Sequence, residues 1–222
     1  MARPESASKY LLIKEFLVDG PAEASHVLVL AHGAGLGMAS PFMEFVARGI
    51  AENGIRVVRF HFPYMEESVR SGRRKPPDGG RILRASYSEV IDHCLEQERC
   101  PRHRLVIGGK SMGGRVASMI ADRHGVAGVV CLGYPFHPPR QPERLRTEHL
   151  VDLRTPMLIC QCERDRFGNR EEVPGYRLSS AVRLHWLSDG NHELAPRKAS
   201  GRSHEDNLRE AVETACDFIR AL

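Results

Sequence analysis

The sequence predicts an α/β fold, a mostly parallel sheet with helices packed on both faces, and three observations carry that expectation. Uninterrupted apolar runs of strand length recur along the chain, as expected of strands buried on both sides. Segments with apolar residues at helical spacing separate them, so strand and helix alternate to the C-terminus. Glycine-rich turns follow several strands, at the rim where such sheets carry their functional loops. A chain of 222 residues suffices for one large core, and one domain spanning 1–222 is expected.

Taken in order, Glu15 to Val18 reads as a first strand and Ser25 to Ala31 as a stronger one, ending in His32-Gly33-Ala34-Gly35-Leu36-Gly37. A dinucleotide fingerprint needs a third glycine where Met38 or Ser40 stands, and no ribose-binding acid ends the next strand, so that reading is set aside. A helix follows with Ser40 as N-cap, Pro41 at its first position, Phe42, Phe45, Val46 and Ile50 on one face, and Gly54 past its end. Ile55 to Phe62 is the next strand. Pro63-Tyr64-Met65 then opens a stretch in which Arg70, Arg73, Arg74, Lys75, Arg81 and Arg84 mingle with glycine and proline, a mobile basic loop by composition. Leu83, Tyr87, Val90, Ile91, Cys94 and Leu95 mark a helix.

Leu105 to Gly109 forms a strand that passes through Lys110-Ser111-Met112-Gly113-Gly114 into a helix with Val116, Ala117 and Ile120 inward and Gly125 as its stop. Ala127 to Leu132 is a strand. About twenty residues separate Phe136 from the strand at Pro156, with a short helical run near Pro142 to Leu150, and an inserted lid domain needs more. The strand Pro156 to Cys162 ends in Glu163-Arg164-Asp165, and Val182 to Leu187 ends in Ser188-Asp189-Gly190-Asn191-His192. Ser203 and Asp206 make a capping box for a last helix whose inward face carries Leu208, Ala211, Val212, Ala215, Phe218, Ile219 and Leu222.

Composition narrows the function. A formal charge of +4 without a nucleic-acid motif gives no reason to expect a nucleic-acid partner. Leu11-Leu12-Ile13 is cut by Lys14 and Glu15, so no signal core or membrane span is drawn and a cytoplasmic protein is expected. Six cysteines without a Cys-x-x-Cys are read as reduced, Cys160 and Cys162 sharing one side of a strand, and neither metal nor cofactor is expected. Nothing in the sequence specifies an oligomeric state.

The chemistry gathers at Gly109-x-Ser111-x-Gly113. This spacing is a nucleophile elbow, in which a strained strand-to-helix turn lifts a serine hydroxyl clear of the backbone. Gly109-Lys110-Ser111 is not a phosphate-binding loop, because that motif needs a glycine where Arg104 stands. A serine hydroxyl needs an imidazole to take its proton, and a carboxylate to hold that imidazole in the right tautomer. His192 and Asp165 lie at strand ends in the order Ser, Asp, His, with Asp189 and Glu163 as rival acids. Backbone N–H groups of Met112 and Ala34 are the candidate oxyanion donors, and His32 is read as structural. Met38, Tyr64, Met65, Phe136 and Phe167 are the candidate pocket residues. The basic stretch follows the strand ending at Phe62, so it should leave at the rim of Ser111, where it can draw in an anionic substrate.

The chain resembles the small, lidless α/β-hydrolases of the dienelactone-hydrolase-like type. More closely, it is similar to a bacterial group related to testis-expressed protein 30 and to a subunit of the chromatin-associated NSL acetyltransferase complex. The blocks that carry the resemblance are His32-Gly33-Ala34-Gly35, Phe62-Pro63-Tyr64-Met65, Gly109 to Arg115, Gly133 to Pro138, Asp165-Arg166-Phe167-Gly168 and His192 to Lys198. It implies an α/β-hydrolase fold with Ser111 as nucleophile, Asp165 as acid and His192 as base. The family's glycine three residues before the acid is Cys162 here. The expected activity is hydrolysis of a small-molecule ester or thioester through an acyl-enzyme. A peptidase or other acyl-transfer enzyme, and an interaction protein with a vestigial site, remain as alternatives.

Overall fold

The computed structural model describes residues 15–98 and 100–222; the Leu11-Leu12-Ile13 run and the polar residues before it lie outside them. Seven strands form one sheet: β1 (Phe16–Asp19), β2 (Val27–Ala31), β3 (Arg56–Phe60), β4 (Leu105–Lys110), β5 (Gly128–Leu132), β6 (Met157–Cys162) and β7 (Val182–Leu187). Their spatial order is β1-β3-β2-β4-β5-β6-β7, with β1 antiparallel to β3 and every other pair parallel. Among the described residues there are five α-helices: α1 (Pro41–Glu52), α2 (Pro63–Ser71), α3 (Gly80–Gln97) and α4 (Met112–His124) between strands, and α5 (His204–Arg220) after β7.

The apolar strands are buried on both faces because alternate side chains feed two cores. In β2, Val27, Val29 and Ala31 join the core beneath α3 and α4, while Leu28 and Leu30 join the one beneath α1 and α5. Cys160 and Cys162 do share a side. From β2 the chain crosses to β3 on one flank and then to β4 on the other. The resulting crevice between the C-terminal ends of β2 and β4 is the topological switch point, where open α/β sheets bind ligands.

Local expectations are met at several helix ends. The capping box is reciprocal, Asp206 N–H donating to Ser203 Oγ at 3.1 Å and Ser203 N–H to Asp206 Oδ2 at 2.7 Å, and Gly125 ends α4 at φ 59. Others are corrected. Ser40 occupies the N-cap of α1 without a side-chain capping bond, and the inward face of α1 is Met43, Val46, Ala47 and Ile50, with Phe42 and Phe45 half-buried at its margin. Leu222 is exposed. The run near Pro142 to Leu150 is helical only over the 3-10 turn Glu148–Leu150, because Pro142 and a polar stretch supply no inward face. The largest departure is α2: Pro63 opens a helix that includes Arg70, and α3 already contains Arg81 and Arg84, so the basic loop shrinks to residues 72–79.

Candidate active site

β4 ends at Lys110 and α4 begins at Met112, so Ser111 alone makes the turn from strand to helix. Its backbone sits at φ 50 and ψ −109, a conformation that costs a non-glycine residue on the order of 1–3 kcal/mol. The flanking glycines are there for close approach. A Cβ on Gly109 would stand 2.3 Å from Ala31 O, and one on Gly113 2.5 Å from the same oxygen. Ser111 N–H donates to Leu132 O at 3.0 Å, which ties the strained turn to β5.

Two further loops bring their side chains to this serine. His192, after β7, places Nε2 2.8 Å from Ser111 Oγ and Nδ1 2.8 Å from Asp165 Oδ2, at the tip of β6. The fully buried Asp165 carboxylate also accepts from Phe167 N–H at Oδ1, 2.9 Å, and from Gln161 Nε2 at Oδ2, 3.1 Å. An ionised carboxylate only accepts, so the shared proton sits on His192 Nδ1 and Nε2 keeps its lone pair towards the serine. The rival acids point elsewhere. Asp189 binds Arg197 N–H and Nε, both at 2.8 Å, and Glu163 takes Arg170 and Asp189 N–H.

Two residues that sequence reasoning missed hold this arrangement. Gln161, in β6, is wholly buried; its Oε1 accepts from Tyr134 N–H at 2.7 Å and its Nε2 donates to Gly168 O at 2.8 Å as well as to Asp165. Lys110 donates from Nζ to His192 O at 2.5 Å, with Glu193 Oε1 3.8 Å away and the Phe42 ring below. Burial holds its ammonium below the usual lysine range, against the pull of Glu193 and Asp165. The available signal was the same for both, a polar side chain inside a run otherwise apolar enough to be fully buried. Cys162 packs against a glycine, for a Cβ on Gly190 would stand 2.5 Å from Cys162 Sγ.

The turn after β2 is fastened from below. His32 is fully buried; its Nε2 accepts from Phe62 N–H at 3.1 Å, so Nδ1–H donates to Gly33 O at 2.7 Å. Burial brings its pKa down to about 4, and the ring is neutral at ordinary pH. Tyr64 Oη lies 3.1 Å from Gly33 O and 3.2 Å from Ala34 O. With the Gly33 carbonyl held inward, the trans peptide turns Ala34 N–H to the opposite side. Met112 N–H, first in α4, has no partner within the helix and sits at its positive end.

The five candidate pocket residues divide. Met65 lines a cavity beside Ala34 and Gly35, and the half-buried Phe167 ring lies 4.2 Å from that of His192. Tyr64 is spent on the turn, Met38 is buried with its carbonyl on Arg59 Nη1 at 2.8 Å, and Phe136 is buried between Tyr134 and Tyr176.

A mostly parallel seven-stranded sheet, helices on both faces and a serine elbow at the switch point define an α/β-hydrolase fold. The chain belongs to the family described as "Alpha/beta hydrolase domain", whose model matches residues 24–220. It is similar to an alpha-beta serine hydrolase homologue from Coxiella burnetii, at 19% identity over 94% of this chain and 91% of that one, with a TM-score of 0.69. A serine hydrolase without lid from Xanthomonas campestris matches at 20% identity, 94% and 88% coverage and a TM-score of 0.68. A dienelactone hydrolase from Anabaena variabilis matches at 18% identity, 94% and 91% coverage and a TM-score of 0.67. At these identities the likeness is one of fold.

Proposed function

We propose that the chain is a serine hydrolase that cleaves carboxylic esters or thioesters of small molecules through an acyl-enzyme. The observation that carries this reading is the unbroken line Ser111 Oγ, His192 imidazole, Asp165 carboxylate, with both links at 2.8 Å. As Ser111 Oγ attacks the carbonyl carbon, His192 Nε2 takes its proton and Asp165 stabilises the imidazolium. The carbonyl electrons move onto oxygen, where Ala34 N–H and Met112 N–H receive them. Collapse expels the alcohol or thiol, which takes the proton from His192. Water, deprotonated by the same imidazole, then attacks the acyl carbon; collapse breaks the bond to Ser111 Oγ, which takes the proton back from His192 as the acid leaves.

The segment between β5 and β6 carries only one 3-10 turn and nothing to close over Ser111, which supports soluble, short-chain substrates. No described helix is long and apolar enough to cross a membrane, and all six cysteines are free and buried, in keeping with a cytoplasmic, single-domain enzyme. The blocks shared with the group of testis-expressed protein 30 and the NSL-complex subunit favour placing the chain there within its family. A panel of p-nitrophenyl esters, acyl-thioesters and short peptides, with fluorophosphonate labelling and Ser111→Ala as the control, tests the reading. Labelling and ester turnover that both vanish with Ser111 are expected; an unlabelled, inert wild-type protein would overturn it.

A further inference from the structure

The segment between β3 and α3 builds a cavity against the turn that contains Ala34. Met65, Ser68 and Val69, at i, i+3 and i+4, share one face of α2, and Gly72 ends the helix in the left-handed region at φ 65. The chain then doubles back. Lys75 N–H donates to Ser68 Oγ at 3.0 Å, and further on Asp78 Oδ2 accepts from Tyr64 N–H at 2.9 Å, at the opposite end of α2. Pinned at both ends, residues 72–79 bring Arg74 and Lys75 over the α2 face.

The cavity so formed measures about 330 Å³, at the lower end of ligand-pocket sizes, and is bounded by Ala34, Gly35, Met65, Val69, Arg74 and Lys75 among others. One wall is apolar, one is the proposed oxyanion turn, and one is cationic. Neither Arg74 nor Lys75 forms a salt bridge with a described residue; Glu67, which binds Arg70, also feels the Lys75 charge, and Arg74 has no such carboxylate beside it. An arginine fork without a carboxylate partner, beside a lysine shared only in part with Glu67, faces an apolar wall and suits a carboxylate.

We propose that this cavity is the subsite for a carboxylate at the far end of a short ester or thioester. The acyl chain runs along Met65 and Val69 to Arg74 and Lys75, while its carbonyl lies at Ala34 N–H, the last step resting on the serine-hydrolase reading. The enzyme then prefers half-esters of short dicarboxylic acids to their neutral counterparts.

The test compares mono-4-nitrophenyl glutarate with 4-nitrophenyl pentanoate, whose acyl chains have equal length. Wild type is expected to favour the glutarate about tenfold in kcat/KM at low salt, through KM. Arg74→Gln with Lys75→Gln brings the ratio near one, whereas Arg81→Gln with Arg84→Gln, which removes the same charge from α3 outside the cavity, keeps it. No preference in wild type, or an equal fall in both double variants, would overturn the subsite. A second arm measures calorimetric binding of mono-4-nitrophenyl glutarate to Ser111→Ala, with about tenfold weaker binding expected when Arg74 and Lys75 are also replaced. Equal binding overturns the proposal. If wild type cleaves neither ester the hydrolase reading fails, and the binding arm still decides the subsite.

Discussion

Ser111, His192 and Asp165 come from three loops and meet through two hydrogen bonds of 2.8 Å. Members of such a unit are non-additive. Ser111→Ala and His192→Ala should each lower kcat by several orders of magnitude, with the double variant little worse, and Asp165→Asn should also be severe. If Asp189→Asn crippled turnover while Asp165→Asn stayed active, the acid would be misassigned. Gln161→Leu should strip Tyr134 N–H and Gly168 O of partners, costing roughly 1–3 kcal/mol of stability, and let Asp165 shift, with kcat down by up to about 10²-fold. Wild-type kcat and urea midpoint in that variant would show that Asp165 needs no such support. The three candidate residues were legible because an α/β-hydrolase sheet carries serine, acid and histidine past its strand ends in that chain order, and the structure brings these three into hydrogen-bond contact. Gln161 and Lys110 were not, since a polar residue in an apolar run shows only that it has a partner, and the partners here are a backbone carbonyl 82 positions away and a carboxylate beyond the strand.

Strands were readable as uninterrupted apolar runs, since burial on both faces leaves no polar alternation, and most helices by their one-sided apolar repeat, but α2 was not. Its apolar content is Tyr64, Met65 and Val69, the last exposed, so the helical repeat is too weak to see beside the basic run that follows. Its start is the one legible mark, a proline at the first helical position, where the absent N–H costs nothing. The end of β6 shows a different kind of fit, in which a side chain is matched by a glycine in the loop after β7. Gly190 makes room for Cys162, and its own Cβ would also stand 3.1 Å from Asn207 Nδ2. Gly190→Ala should therefore destabilise by about 1–3 kcal/mol through overpacking. Cys162→Gly in the same chain should recover part of that loss, a coupling absent between distant sites. Additive effects in the double-mutant cycle, read from urea midpoints, would mean that the two positions do not share this space.

At the scale of the molecule, two neutral histidines, His32 fully buried and His149 half-buried, lie near the elbow that holds Ser111. His32 lies under the Ala34 turn, and His149, on the β5–β6 connection, has Nε2 2.9 Å from Ser118 Oγ on α4. Burial brings both pKa values down to about 4, with Arg115 adding to the effect at His149. A histidine in the unfolded chain titrates near 6.5. Between pH 6.5 and 4 the unfolded chain thus binds protons that the folded one refuses, so stability is full above 6.5 and falls as the pH drops. The loss at His32 is roughly 2 kcal/mol by pH 5, and less at His149, whose ring is partly open to screening solvent. Carboxylates do not confuse this window: Asp189, bound by Arg197, and Asp206, bound by Ser203 N–H, sit below the ordinary carboxylate range, and their stabilisation is lost only below about pH 4. Urea midpoints should hence decline from pH 7 to pH 5, and His149→Gln, which keeps a partner for Ser118, should flatten part of that decline. A level wild-type midpoint, or a slope unchanged in the variant, would mean that the folded protein takes up these protons freely. Because both rings brace the elbow's surroundings, the same acid window should loosen the loops carrying Ala34 and Tyr134 before β1 or β7 at the sheet's edges, an order that hydrogen exchange at pH 5 against pH 7 would read directly.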